Sequence, residues 1–272
     1  PPPPPAPASS PGVEPRGPEL AARRRLELRP RAPGAPAGLM AVDQWETFHF
    51  ADSFDSVPVV LTQIQTDAGR DYLMTRHSNI SAAGMRLALQ QEEAISSQHT
   101  PETVGYLAIE SGSGIWNGHV FAAAATAAVV TEDWQKVNFS RTFSTAPVLL
   151  SSMSSYWGKD SVHVRYRDLT SSDVEFKSGE DTTFDTELLH AEESVAYLAI
   201  DGSGMLSATI TQLGIGEVGQ IPNLTNVPQE VLLENTYLAP VVFSQSPTAN
   251  GGQPVVTRVD NVQSDRFSIY LA

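Results

Sequence analysis

Three arginines recur at one place in a repeated pattern: Arg76, Arg165 and Arg258. A guanidinium presents its donors in a rigid planar fork, so it suits either the vicinal hydroxyls of a sugar or the two oxygens of a carboxylate. Both readings stand here, a ligand clamp or an ion pair with a neighbouring carboxylate such as Asp71 or Asp160. A second chemistry is offered by His99/Glu102 and His190/Glu193, residue types that titrate or ligate metals. On a strand, positions i and i+3 point to opposite faces, so neither pair can chelate one ion unless the backbone turns. The acidic pairs Glu92-Glu93 and Glu180-Asp181 are oxygen-rich, but no calcium-loop pattern organises them. No metal site and no cofactor are therefore expected.

Catalytic signatures are missing from the sequence. It has no Gly-x-Ser-x-Gly elbow, no phosphate-binding loop and no dinucleotide glycine pattern. With no cysteine there is no thiolate nucleophile and no cysteine-rich zinc site. The expectation is a protein that is not an enzyme.

The elements that must position these residues come in copies. Trp45, Phe50, Phe54, Pro58, Gly69, Asp71 and Arg76 return 89 residues later as Trp134, Phe139, Phe143, Pro147, Gly158, Asp160 and Arg165. The segment from His99 through Glu102 to Tyr106-Leu107-Ala108-Ile109 returns from His190 to Tyr197-Leu198-Ala199-Ile200. A third copy aligns Pro240, Gly251, Arg258 and Phe267, and the sequence ends at Ala272 before its His-x-x-Glu segment. Met85-Leu87-Leu89, Val174-Phe176 and Phe267-Ile269-Leu271 are apolar at every second position, the mark of a strand with one face on a core. Tyr106 to Ile109 and Tyr197 to Ile200 are apolar on both faces and read as central strands. Turns fall at Asp67-Ala68-Gly69, Trp157 to Asp160, Asn250-Gly251-Gly252, Gly112-Ser113-Gly114 and Gly202-Ser203-Gly204.

The fold class is all-β: tandem antiparallel β-sandwich domains over 40–115, 129–206 and a truncated 216–272, read as beads that each bury their own core. Trp45 and Trp134 read as core residues at the sandwich entrance. Residues 1–39 hold twelve of the 20 prolines and six arginines, and read as a disordered linker in which Arg23-Arg24-Arg25 could form a short helical turn. From residue 40 onward, 11 basic residues face 28 acidic ones. Such a body repels a phosphate backbone, so nucleic acid is not an expected partner. No apolar run reaches the length of a membrane-spanning helix. A chain that opens on Pro1 is expected to be a piece of a longer protein.

The order Trp-x4-Phe-x3-Phe-x3-Pro, then Gly, then an arginine strand, then Tyr-Leu-Ala-Ile resembles the H-type lectin domain, in the divergent tandem copies of large bacterial surface or secreted proteins. That resemblance covers about 40 to 272. It implies a six-stranded antiparallel sandwich, trimer formation, and binding of galactose-type sugars, N-acetylgalactosamine above all. It implies a location outside the cell or at its surface. Arg76, Arg165 and Arg258 match the family's sugar-binding arginine, whereas Glu92 and Asp181 stand where its aromatic residue belongs. A sugar ring needs an apolar platform that a carboxylate cannot supply, so Tyr72, Tyr156 or Trp157 would have to take that part. The candidate carbohydrate-binding residues are thus Arg76, Arg165, Arg258, Tyr72 and Trp157. Two functions are expected: a binding module for glycans or another protein surface, or spacer and assembly repeats of a surface protein.

Overall fold

A computed structural model describes residues 27–30, 45–69, 72–95, 99–116, 118–207, 214–248, 250–251 and 254–272. Among these every regular element is a strand, and every strand pair is antiparallel. The all-β expectation holds.

The first repeat comprises β1 (Glu27–Pro30), β2 (Glu46–His49), β3 (Val59–Ile64), β4 (Leu73–Ser81), β5 (Gly84–Gln91) and β6 (Val104–Ile109). They form two three-stranded sheets, β2-β5-β4 and β1-β6-β3. After β7 (Gly112–Trp116), the second repeat follows the same plan: β8 (His119–Ala125), β9 (Gln135–Asn138), β10 (Val148–Met153), β11 (Val162–Arg167), β12 (Asp173–Glu180) and β13 (Val195–Ile200). Its sheets are β9-β12-β11 and β10-β13-β8-β7. Then come β14 (Gly204–Ser207), β15 (Gly214–Val218), β16 (Gln229–Leu232), β17 (Thr257–Asp260) and β18 (Arg266–Leu271), with sheets β14-β15 and β16-β18-β17.

Two expectations about local structure need correcting. Glu27–Pro30 lie inside the stretch read as a linker, yet β1 pairs with Gly105 to Ala108 of β6. In the second repeat β8 pairs with Ala196 to Ile200 of β13. The strands correspond, so the boundaries at 40 and 129 omit the first strand of their repeats. Neither segment shows apolar alternation: one is Glu-Leu-Arg-Pro and the other mostly alanine, so the pairing comes from the partner strand rather than from local pattern. The Arg23-Arg24-Arg25 cluster lies outside the described residues. Likewise Gly112-Ser113-Gly114, read as a turn, opens β7, and Gly204 opens β14. Gly112 and Gly204 have φ of 144° and 118°, values that only glycine adopts easily.

Each sandwich has its own core. In the first repeat Phe50, Phe54, Val60, Met85 and Ala108 pack together. In the second, Phe139, Phe143, Tyr166, Phe176 and Tyr197 do so, and in the third Val259, Phe267 and Ile269. Another core lies between repeats, where Val59, Leu61, Leu107 and Ile109 meet Phe121, Ala123, Ala196, Leu198 and Ile200. This explains why β13 is buried at every position: Val195, Tyr197 and Ala199 face their own sandwich, while Ala196, Leu198 and Ile200 face the first repeat. The repeats are therefore packed together rather than strung as separate beads. Trp45 and Trp134 also differ from expectation, being half-buried. Trp134 lies under Arg167 and Lys177, and Trp45 packs edge-on against Tyr156 of the second repeat.

Equivalent residues of all three repeats converge on one cavity of about 110 Å³, lined among others by Thr62, Thr75, Ser151, Val164, Ser244 and Thr257. Thr62 N donates to Ser152 Oγ at 3.4 Å, Ser151 N to Gln245 Oε1 at 2.6 Å, and Gln63 Nε2 to the Thr257 carbonyl at 3.1 Å. Each repeat thus touches the other two in a quasi-threefold arrangement within a single chain.

Candidate functional site

The repeated arginines sit on β4, β11 and β17, on the face turned away from their own sandwich core. Strand alternation puts them there; the neighbouring repeat then covers them. Arg76 and Arg258 have 0% of their surface exposed. Arg76 Nη2 donates to Glu193 Oε1 of the second repeat at 2.9 Å, and Nη1 donates to Gln90 Oε1 at 2.7 Å and to the Asp160 carbonyl at 3.3 Å. Its guanidinium stacks 4.8 Å from the ring centre of Tyr156. Arg258 Nη2 donates to Glu102 Oε1 of the first repeat at 2.7 Å, to the Thr66 carbonyl at 3.2 Å and to Asp67 Oδ1 at 3.4 Å. One relation is repeated: the arginine of one copy grips the glutamate of the next copy's His-x-x-Glu segment. Arg165 is half-buried and donates to the Gly251 carbonyl at 2.9 Å.

The glutamates are held by matching sets of donors. Glu193 accepts from Trp157 N at 2.9 Å, from Gly158 N at 3.2 Å and from the Ser155 hydroxyl, which in turn accepts from Ser194 N at 2.7 Å. Glu102 accepts from Ala68 N at 3.1 Å and from the Thr66 hydroxyl, which accepts from Thr103 N at 2.9 Å. Thr66 and Ser155 hold corresponding places, a role that sequence reading missed because hydroxyl residues are abundant and only the paired copies single these out. Burial works against ionised Glu193, but His190, Ser155 and Arg76 outweigh it and hold the carboxyl below its ordinary range. Burial likewise lowers Arg76, with Glu193 the strongest opposing influence. The buried pair is ionised and hydrogen-bonded, the condition under which burying charge is tolerated.

The acidic pairs of the sequence meet across the same boundary. Asp181 Oδ2 accepts from Glu93 N at 2.6 Å, and Glu93 Oε1 accepts from Ser161 N at 2.9 Å. Burial pushes Glu93 up, Ser161 N pulls it down, and Asp160, Asp181 and Glu180 push it up further. His190 is drawn down by burial and raised by the carboxylates of Glu180 and Glu193, reaching about 9. Its Nε2 lies 3.3 Å from Glu193 Oε1. The loop from 190 to 193 leaves strand geometry, so this i, i+3 pair meets where a straight strand would separate it. His99 and Glu102 approach less closely, at 4.0 Å.

Of the proposed aromatic platforms, Tyr72 is 8% exposed and its hydroxyl meets His163 Nδ1 of the second repeat at 2.7 Å. Burial, ahead of Asp181, raises its hydroxyl pKa well above the usual value. Trp157 is open to solvent at 72% exposure. Asp71 lies outside the described residues, and Asp160 reaches Arg76 through its backbone carbonyl rather than its side chain. Arg76, Arg258 and Tyr72 are thus enclosed between repeats, while Arg165 and Trp157 keep contact with solvent.

Fold and site together define an all-β chain of antiparallel sandwich repeats locked by buried arginine–glutamate pairs. Among known proteins the chain is similar to Halomucin of Haloquadratum walsbyi (strain DSM 16790 / HBSQ001), 29% identical over 170 residues, or 61% of this chain. The match spans 2% of Halomucin's own length. No family model matches the chain, and no solved structure matches it.

Proposed function

We infer that this chain is a non-catalytic assembly unit, a set of sandwich repeats that dock on one another to build part of a larger protein. The observation that carries this reading is the burial of Arg76 and Arg258 against glutamates of neighbouring repeats. An arginine with no exposed surface presents no donor to a sugar in solution. The similarity to 2% of Halomucin's length suits a unit used within a far longer polypeptide. A place at or outside the cell surface accords with the lectin-like resemblance. Sugar binding stays open as a second reading on one observation, the exposed indole of Trp157, which could stack on the apolar face of a ring.

Retention on galactose and N-acetylgalactosamine resins separates the two. The assembly reading expects none from the full chain. Retention that is abolished by Trp157→Ala would overturn it in favour of the lectin reading.

A further inference from the structure

The second repeat contains an arrangement that the arginine clamp leaves unused. Glu180 ends β12, His190 precedes β13, and Asp160 lies just before β11. One ligand atom from each falls within 4.8 Å of the others. Glu180 and His190 are each 7% exposed. Neither carboxylate oxygen of Glu180 takes a hydrogen bond, and nor does His190 Nδ1. Nδ1 and Glu180 Oε2 approach to 3.0 Å, but outside the angles that a hydrogen bond requires. A buried carboxylate without hydrogen bonds is costly unless a cation compensates it; in the metal-free chain the His190 ring, 3.0 Å away, takes that part, and a metal ion would replace its proton.

The surroundings favour that cation. Glu93, Asp181 and Glu193 add negative charge, and Arg76 is the guanidinium facing them. Since a carboxylate can only accept, the 3.3 Å contact between His190 Nε2 and Glu193 Oε1 puts a ring proton on Nε2. Nδ1 faces Glu180 at 3.0 Å, and an ion bound there would take the place of the Nδ1 proton. A carboxylate that orients a histidine through its far nitrogen is how proteins fix metal-binding imidazoles.

We propose that Asp160, Glu180 and His190 form a site for one divalent transition-metal ion of the zinc class. An imidazole nitrogen with carboxylate oxygens suits zinc, whereas calcium takes oxygen ligands alone. Bonds of about 2.0–2.2 Å draw the three ligand atoms closer than they stand, and exposed Asp160 can turn inward to complete the set. The first repeat lacks the site, because Gln91 occupies the place of Glu180 while His99 and Glu102 are kept. The ion would fix His190, and through it the Glu193 carboxylate that faces Arg76.

The test is zinc titration of the metal-stripped full chain by calorimetry, with calcium in parallel and far-UV circular dichroism to check folding. One equivalent of zinc is expected, with affinity falling roughly tenfold or more in Glu180→Gln and in Asp160→Asn. Glu180→Gln installs the residue that the first repeat carries at this place, so it should fold. No zinc uptake by the parent, uptake unchanged in both variants, or a preference for calcium would each overturn the proposal. None of these results depends on whether the chain retains sugars.

Discussion

Arg76 Nη2 stands 2.9 Å from Glu193 Oε1, and the two side chains, from different repeats, have no exposed surface. Arg258 and Glu102 repeat the relation at 2.7 Å, from the third repeat to the first. Together with the apolar layer between β6 and β13, these pairs join the repeats by direct contact.

Gly105 reports on the third repeat's seat against the first. A Cβ at this position would overlap Val241 Cγ1, whereas the corresponding second-repeat residue is Ala196. Gly105→Ala should cost about 1–3 kcal/mol by overpacking. Adding Val241→Ala should recover most of that loss in urea unfolding, since the clash is with one side-chain methyl.

Acid should loosen the protein before its carboxylates protonate. His77 is pushed down to about 3 by burial and then by Arg76. His163 is pushed down to about 3 by burial and then by Arg165. Folded-state values below the ordinary 6.5 mean that only the unfolded chain gains these protons as pH falls from about 6.5 toward 3. Each histidine should therefore remove about 1.4 kcal/mol of stability per pH unit in that window. Urea unfolding from pH 7 to pH 5 should show the decline, and His77→Gln should shallow it. NMR should find both rings neutral at pH 5.

Salt should stabilise the chain. With 31 acidic residues against 17 basic ones, the native surface repels itself. Raising salt from 0.01 M to 1 M shortens the screening length from about 30 Å to about 3 Å. The unfolding midpoint should rise across that range. The buried Arg76–Glu193 pair, shielded from ions, should not reverse the trend.

The strands with a polar and an apolar side were legible because alternation is local. The phenylalanines at 50, 54, 139 and 143 and the arginine strand could be placed from spacing alone, and all four rings are buried. β1 was hidden because Glu-Leu-Arg-Pro has no pattern of its own and forms on the edge of β6. The second buried face of Tyr197 to Ile200 was visible, but its cause was not, since it lies in another repeat. Arg76 could be assigned a carboxylate but not the correct one: Asp71 is near in sequence, while Glu193 is 117 residues away. Nor could spacing bring Glu180 to His190, because the loop between them curls back rather than continuing as a strand.

The central claim, that the repeated arginine serves to join repeats, is tested most directly by a double-mutant cycle on Arg76 and Glu193 in urea unfolding. Arg76→Met and Glu193→Gln should each cost about 3–5 kcal/mol, because each strands a buried polar group in the neighbouring repeat. The double variant should lose well under the sum, giving a coupling of roughly 2 kcal/mol or more. Single variants as stable as the parent, or costs that simply add, would contradict the account and return Arg76 to the role of a ligand contact.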